Sequence, residues 1–465
     1  DDESEASTEE EDHMEFEPGD SEPPSGASRR QFLQLMGAAM AMAGLTGCRR
    51  PEEKILPYSR KPEEIIPGIP QEYATGMPFR DVLRPVLVQS HEGRPTKVEG
   101  NGEHPVGQSG TSSFEQASVL NVYDPDRSRT VRRDGAEASW DDFVSYCRGL
   151  SEQADQRTVA VLVEETSSPT VQAMRQRLDD RFSDLRWVTY AAGGDNPVRR
   201  GTEQAFGRPL RPRYNLGEAE VMLSLDSDFL DGKHRDFLHN TQAFAEGRRL
   251  ESTDDEMSRL YAVESTFSTT GGTADHRLAL PARRIRAFAA ALGAELGVGA
   301  APDVSWSDRE QAYIREIARD LQQAGPQGVV LAGESQPPEV HALAMAINQQ
   351  LGALGTTVTL FDAAGSASTQ DESVADLTDA MRGGEIDTLF MVGVNPVYDA
   401  PAELGFDEAL QNVEETVHLG LFRNETARAS EWHVPRAHYL EQWGDGRAYD
   451  GTLSVIQPLI RPLYD

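Results

Sequence analysis

The chain has 465 residues, long for one domain and sufficient for two or three. Its 44 basic and 77 acidic residues give a formal net charge of −33, which argues against nucleic acid as a partner, because phosphate binding needs a basic face. With only Cys48 and Cys147, a disulfide framework is excluded, no cysteine cluster can hold an Fe–S centre, and no zinc-ligand spacing is present.

Residues 1–27 open with eight carboxylates in the first twelve positions and continue in Pro, Gly and Ser, the composition of a disordered acidic tail. Residues 28–48 form a second segment. Ser28-Arg29-Arg30-Gln31-Phe32-Leu33 has the paired arginines of a twin-arginine export signal. The stretch from Gln31 to Gly47 carries no charge, yet it is shorter than the roughly 20 apolar residues of a spanning helix and fits a signal core better. Leu45-Thr46-Gly47-Cys48 resembles a lipobox, whose cysteine is acylated after cleavage; an uncleaved helical anchor is the alternative. The expectation is a protein folded before export, working on the periplasmic side of the cytoplasmic membrane and held there by lipid or anchor. Residues 49–79 contain six prolines, which forbid a long helix and suggest an extended strap.

From Phe79 the pattern becomes globular. Val86–Gln89 reads as a strand, followed by a Gly/Pro-rich loop over 91–113. Ser139–Leu150 reads as a helix with Ser139 as its N-cap. Short apolar runs then alternate with helical periods. Strands are expected at 158–164, 186–190, 221–225, 261–264, 328–332, 357–361, 388–392 and 416–421. Helices are expected at 168–181, 285–296, 307–324, 338–354, 374–381 and 406–412. This alternation implies an α/β fold of doubly wound parallel sheets with crossover helices. The domain reading is 80–135 as an N-terminal segment, 136–300 as a first α/β domain and 301–465 as a second.

Two expected strand ends lead into loops rich in glycine and asparagine: Gly193-Gly194-Asp195-Asn196-Pro197 and Gly393-Val394-Asn395-Pro396. Ligands of open α/β sheets sit beyond the carboxyl ends of the strands, and glycine lets backbone N–H groups approach a phosphate. Gly193, Gly194, Asp195, Asn196, Gly393 and Asn395 are therefore candidate cofactor contacts, although an ordinary βα turn explains either loop alone and neither is a GxGxxG or Walker sequence. His433 and His438 lie close in sequence, but Pro435 breaks any helix that would align them on a metal. No Gly-x-Ser-x-Gly elbow or His-Glu-x-x-His motif occurs, and no catalytic residue is assigned. Cys147 occupies an apolar-periodic helical position and reads as a buried thiol. Lysine is confined to Lys54, Lys61, Lys97 and Lys233, a balance expected either of a high-salt habitat or of a GC-rich genome; the acidic field also suits a cationic partner such as a basic cytochrome.

Longer motifs carry a resemblance. His91-Glu92-Gly93-Arg94-Pro95-Thr96-Lys97-Val98-Glu99-Gly100-Asn101, Glu103-His104-Pro105 and Asn121-Val122-Tyr123-Asp124-Pro125-Asp126-Arg127 resemble the opening of molybdopterin oxidoreductases. Asn395-Pro396-Val397-Tyr398, Glu425-Thr426-Ala427, Trp443-Gly444-Asp445 and Asp450-Gly451-Thr452 resemble that family's downstream cofactor-domain motifs. The family places a cluster cysteine in the segment that here reads Gly110-Thr111-Ser112-Ser113-Phe114. With Ser28–Leu33, Cys48-Arg49-Arg50-Pro51-Glu52-Glu53-Lys54-Ile55 and Tyr73-Ala74-Thr75, the chain is most similar to the large iron–sulfur subunit of alternative complex III, a bacterial quinol:cytochrome c oxidoreductase.

That resemblance implies a molybdopterin-like half without molybdenum cofactor, so no cofactor and no metal are expected here. The implied partners are a ferredoxin-like half bearing the Fe–S clusters, an integral membrane quinol-oxidising subunit and c-type cytochrome subunits. The chain stops before any cluster cysteines, so a fragment or one half of a split subunit is expected. Two other functions compete. An active periplasmic molybdopterin oxidoreductase of the thiosulfate or polysulfide reductase type needs a metal ligand in the loop after Tyr190, which offers Asp195 but no cysteine or serine. A periplasmic binding domain is permitted by length and layering.

Overall fold

The computed structural model describes residues 63, 65–66, 68–107, 109–194, 196–253, 255–362 and 372–464. The chain divides between Glu64 and Ile65, and the elements of the fold belong to the unit from Ile65 onward. The acidic tail, the export and lipidation residues Arg29, Arg30 and Cys48, and Asp195 lie outside the described residues.

Strands β1 (Gln71–Phe79), β2 (Val82–His91) and β3 (Arg94–Gly100) form an antiparallel meander. Each connection is a two-residue turn with left-handed backbone, at Arg80 (φ 53°) in the first and at Glu92 and Gly93 (φ 54° and 82°) in the second. The first turn fixes Asp81, which matters below. Residues 71–79, expected as part of a strap, are thus a paired strand. Pro78 is tolerated because β1 is an edge of this sheet and needs no second set of N–H donors.

The remaining strands in chain order are β4 (Arg132–Arg133), β5 (Ala136–Glu137), β6 (Val159–Glu164), β7 (Leu185–Tyr190), β8 (Leu210–Tyr214), β9 (Val221–Leu225), β10 (Arg259–Glu264), β11 (His276–Ala279), β12 (Gly328–Ala332), β13 (Val358–Asp362), β14 (Thr388–Val392), β15 (Glu415–Gly420), β16 (Trp432–Pro435), β17 (Gly444–Arg447) and β18 (Leu453–Ile456). One sheet runs β5-β4-β16-β15-β14-β6-β7, parallel from β16 to β7. A second, β11-β10-β9-β12, is wholly parallel. Their strands are largely apolar runs because helices pack on the sheet faces; central Val221–Leu225 and edge Gly328–Ala332 are buried at every position.

The sheets do not follow the contiguous boundaries 136–300 and 301–465. The first draws strands from 132–190 and 388–435, and the second from 221–332. Ladder pairing is decided in space, so a chain can leave one sheet, build another and return. Thr357–Phe361, expected in the parallel set, pairs antiparallel with β8 instead.

Local chemistry explains the helix starts. Ser139 and Ser307 cap helices Trp140–Glu152 and Asp308–Ala324, with Asp142 and Glu310 closing reciprocal capping boxes. Helix Pro338–Leu351 ends where Gly352 turns left-handed at φ 77°. From that helix, buried Asn348 donates to Val330 O (2.9 Å) and accepts from Val330 N (2.8 Å), giving partners to backbone groups of β12 at the edge of its sheet. Among the described residues no helix is long and apolar enough to cross a membrane.

Candidate functional site

The carboxyl ends of strands from both parallel sheets open onto one cleft of about 690 Å³. The first sheet contributes Glu165 after β6 and Thr189–Gly194 at the end of β7. Beyond that loop come Asn196, Pro197, Arg199 and Arg200, in the first turns of helix Asn196–Phe206. The second sheet contributes Asp226, Ser227, Asp228, Asp231, Lys233 and His234 after β9, and Gly333–Ser335 after β12. Glu372–Val374, Asp399 and Pro401 complete one wall, and Arg80 reaches in from the β1–β2 turn. Gly333 is needed here for close approach: a Cβ would stand 2.7 Å from the Asp226 carbonyl carbon.

Beneath the lining lies a knot of buried charge. The Arg235 side chain is 2% exposed and spans three parts of the fold. It donates to Asp81 of the meander turn (2.6 Å), to Glu165 after β6 (3.0 Å), and pairs with Glu334 after β12 (2.7 Å). Arg211 of β8 also pairs with Asp81, and Arg80 donates to Glu334 at 2.7 Å. Burial alone would raise the Asp81 pKa, but the guanidinium charges of Arg211 and Arg235 outweigh it and hold the carboxyl well below its ordinary value. Glu334 behaves likewise: burial raises it, Arg235, His234 and Arg80 lower it, and the net direction is down. His234 is pushed down, chiefly by burial. The carboxylates are therefore ionised and paired, and three substructures are tied through one side chain.

The sequence-derived candidates divide. Gly193, Gly194 and Asn196 line the cleft. Gly194 N–H is already bonded to Ala191 O (3.2 Å), and a Cβ on Gly194 would meet Glu165 Oε1 at 2.5 Å. Gly393 and Asn395 sit at the end of β14 but are absent from the lining. Gly393 adopts φ 71° where a Cβ would meet Glu164 at 2.6 Å and Arg436 at 2.7 Å. Asn395 accepts from Thr426 N (3.1 Å) and Oγ1 (2.7 Å) and donates to Glu425 (2.9 Å), which ties its loop to the helix Glu425–Ala429. Cys147 is half-buried against the Val417–Trp432 cluster, with no disulfide and a thiol pKa raised by burial.

Two groupings have no signal in the sequence. Asp81, Glu165, Arg235 and Glu334 are separated by 70 residues or more in most pairs and meet only through the fold. His433 faces His418 on the neighbouring strand. His438 is buried separately, its ring 4.5 Å from that of Tyr439. Among the described residues no group of three or more His, Cys, Asp or Glu could hold a metal ion.

The wider molybdopterin oxidoreductase family carries a pterin cofactor, which the sequence resemblance does not lead one to expect in this chain. A pterin phosphate at Gly193–Gly194 meets the Glu165 carboxylate and a backbone N–H already in use. Seven carboxylate residues line the cleft (Glu165, Asp226, Asp228, Asp231, Glu334, Glu372 and Asp399), against Arg80, Arg199, Arg200 and Lys233. No thiol is among the lining residues. The described residues do not fit a phosphate-bearing pterin with a thiolate-held metal.

No family model and no curated protein matches the chain. Among solved structures, acetylene hydratase from Pelobacter acetylenicus is similar over 84% of this chain, with a TM-score of 0.64 and 12% identity. This chain spans 66% of that one. The formyltransferase/hydrolase complex from Methylorubrum extorquens, with methylofuran, matches 71% of this chain and 93% of its own, at 14% identity and a TM-score of 0.47. The first likeness concerns the fold: the chain has the α/β, molybdopterin oxidoreductase-like architecture that its motifs imply.

Proposed function

We propose that this chain is a cofactor-free, molybdopterin oxidoreductase-like scaffold in a membrane-bound quinol:cytochrome c electron-transfer complex of the alternative complex III type. The observation that carries the reading is the Arg235 knot. Beneath the cleft where open α/β sheets take their ligands, the chain buries a guanidinium tied to three carboxylates. Such a knot holds the walls of the cleft together and leaves carboxylate, not cation, beside Gly194. The long motifs of the N-terminal and downstream segments support the complex-level assignment, and the net charge of −33 suits docking to cationic cytochrome surfaces.

On this reading the partners are a cluster-bearing ferredoxin-like half, an integral quinol-oxidising subunit and c-type cytochromes. The Arg29–Arg30 pair directs export, and Cys48 or its uncleaved segment holds the chain at the periplasmic membrane face. The test is purification with native partners, followed by molybdenum and pterin analysis and a quinol:cytochrome c assay. Co-purification with haem subunits at far below one molybdenum per chain is expected. One molybdenum and pterin per chain would overturn the scaffold reading in favour of an active molybdopterin oxidoreductase.

A further inference from the structure

Far from the cleft in sequence, helix Trp140–Glu152 packs an aromatic group onto the first sheet. Trp140 lies 5.7 Å from Phe143, Phe143 lies 5.5 Å from Trp432 and 6.2 Å from Tyr146, and Tyr146 lies 5.3 Å from Trp432, all between ring centroids. Packing accounts for Phe143 and Trp432, which are 7% and 1% exposed. It does not account for Trp140, which is 59% exposed at the outer end. At the inner end the Tyr146 hydroxyl donates to Glu415 Oε2 at 3.1 Å.

We propose that this group is a one-electron relay, with Trp140 as its surface entry and Tyr146 as the site where an oxidising equivalent comes to rest. The inference is independent of the function proposed above. The oxidant is a diffusible one-electron acceptor of the carbonate- or peroxyl-radical class, reduced by one electron at the exposed Trp140 indole. Tyr146 refills that indole across the short steps through Phe143. As the electron leaves Tyr146, its O–H bond breaks and the proton forms a new O–H bond on Glu415. The products are a neutral tyrosyl radical, a protonated Glu415 and the reduced oxidant, so charge and atoms balance.

The environment of each ring sets the direction. Trp432 is buried, its Nε1 has no hydrogen-bond partner, and the Arg133 guanidinium lies 5.0 Å from its ring centroid. A positive hole there would sit beside another cation with no base to take its proton, so Trp432 is no resting place. Tyr146 has a carboxylate in contact, Glu415, which also pairs with Arg157 and accepts from Thr388 Oγ1, both at 3.2 Å. Tyr261 also donates to a carboxylate, Asp320 at 2.6 Å, but its ring partner is His276 and not an indole, which makes it the natural control.

The test is flash-quench oxidation of the full chain with tris(bipyridine)ruthenium(III) and detection of the radical by electron paramagnetic resonance. A tyrosyl signal is expected. Most of it should be lost in Tyr146→Phe and retained in Tyr261→Phe. Trp140→Phe should slow its appearance at least several-fold, and Glu415→Gln should lower its yield. Circular dichroism establishes folding for each variant, and Trp140→Phe, at an exposed position, keeps the proposal testable if a buried change unfolds the chain. A signal undiminished in Tyr146→Phe, or a formation rate unchanged in Trp140→Phe, overturns it.

Discussion

His418 and His433 meet across the β15–β16 ladder with their Nδ1 atoms 3.0 Å apart and their rings stacked. The other nitrogens fix the protons. His418 Nε2 faces the Val394 carbonyl at 3.2 Å, so it must carry hydrogen and donate. His418 Nδ1 is then an acceptor, and His433 Nδ1 must donate to it. His433 Nε2 in turn accepts from the Ser128 hydroxyl at 2.6 Å. A further proton on His418, at Nδ1, would set two N–H groups against each other. Burial pushes both pKa values down to about 4, with the charges of His418, Arg423 and Arg132 adding to the fall at His433.

Both rings are favoured neutral in the folded state, so their contribution is complete above the ordinary histidine value. It is lost as pH falls from about 6.5 through about 4. Urea midpoints should therefore fall across that window. His418→Gln is expected to destabilise at pH 7 by about 1–3 kcal/mol, the cost of a buried donor or acceptor left unpaired. It should also flatten the midpoint against pH between 6.5 and 4. An unchanged slope would mean that the pair does not titrate as described.

Asp236 works in the opposite sense. Burial raises its pKa to about 7, against the lowering effect of Arg213 at 3.0 Å, and Asp450 on the far side of Arg213 adds to the rise. A carboxyl raised by folding contributes stability that is complete below its ordinary value near 4 and lost as pH rises through 7. It offsets part of the histidine slope. Asp236→Asn should make stability climb more steeply from pH 4 to 7, which the same urea series measures.

Arg235 is the side chain whose loss should cost most. Removing it leaves Asp81, Glu165 and Glu334 without their shared cation, and stripping one partner from a buried ion pair typically costs about 3–5 kcal/mol. Arg235→Lys should rescue little, because an ammonium lacks the planar fork that reaches three carboxylates at once. Thermal unfolding of Arg235→Met and Arg235→Lys checks this; a melting temperature within a degree or two of the native chain would contradict the knot.

Much of this architecture is written locally, and the site is not. Val221–Leu225, Gly328–Ala332 and Thr388–Val392 match the strands found because a buried parallel strand is a continuous apolar run bounded by turns. Ser139 marks the start of its helix in the sequence because a capping hydroxyl acts within one turn. Helices Asn196–Phe206 and Phe237–Glu246 escaped notice, the first being rich in polar residues and the second lacking a side-chain cap. The Arg235 knot and the His418–His433 pair are long-range meetings that no local period encodes. Gly193 and Gly194 were found because a βα loop at a strand end announces itself. The same logic at Gly393 found a loop whose glycine makes room for the Glu164–Arg436 pair.

That distinction at Gly393 is itself testable. Gly393→Ala places a methyl group against the Glu164 carboxyl in a left-handed backbone that costs a non-glycine residue roughly 1–2 kcal/mol before any clash. Gly193→Ala meets nothing closer than Arg80 at 3.7 Å and should be nearly neutral. A larger loss of stability at 193 than at 393, by denaturant titration, would reverse the assignment.

Export is probed separately. On the proposed export reading, the pair Arg29–Arg30 would be recognised through its guanidinium groups, which lysine does not reproduce. Arg29→Lys with Arg30→Lys should leave the protein in the cytoplasm, and mass spectrometry of the exported native chain should find an acylated N-terminal Cys48. One acyl chain binds membranes only marginally and two hold stably, so Cys48→Ser should release the chain into the soluble periplasmic fraction if the lipid is the anchor. Retention of Cys48→Ser in the membrane, with the residues before Cys48 still attached, would assign anchoring to the uncleaved segment from Gln31 to Gly47.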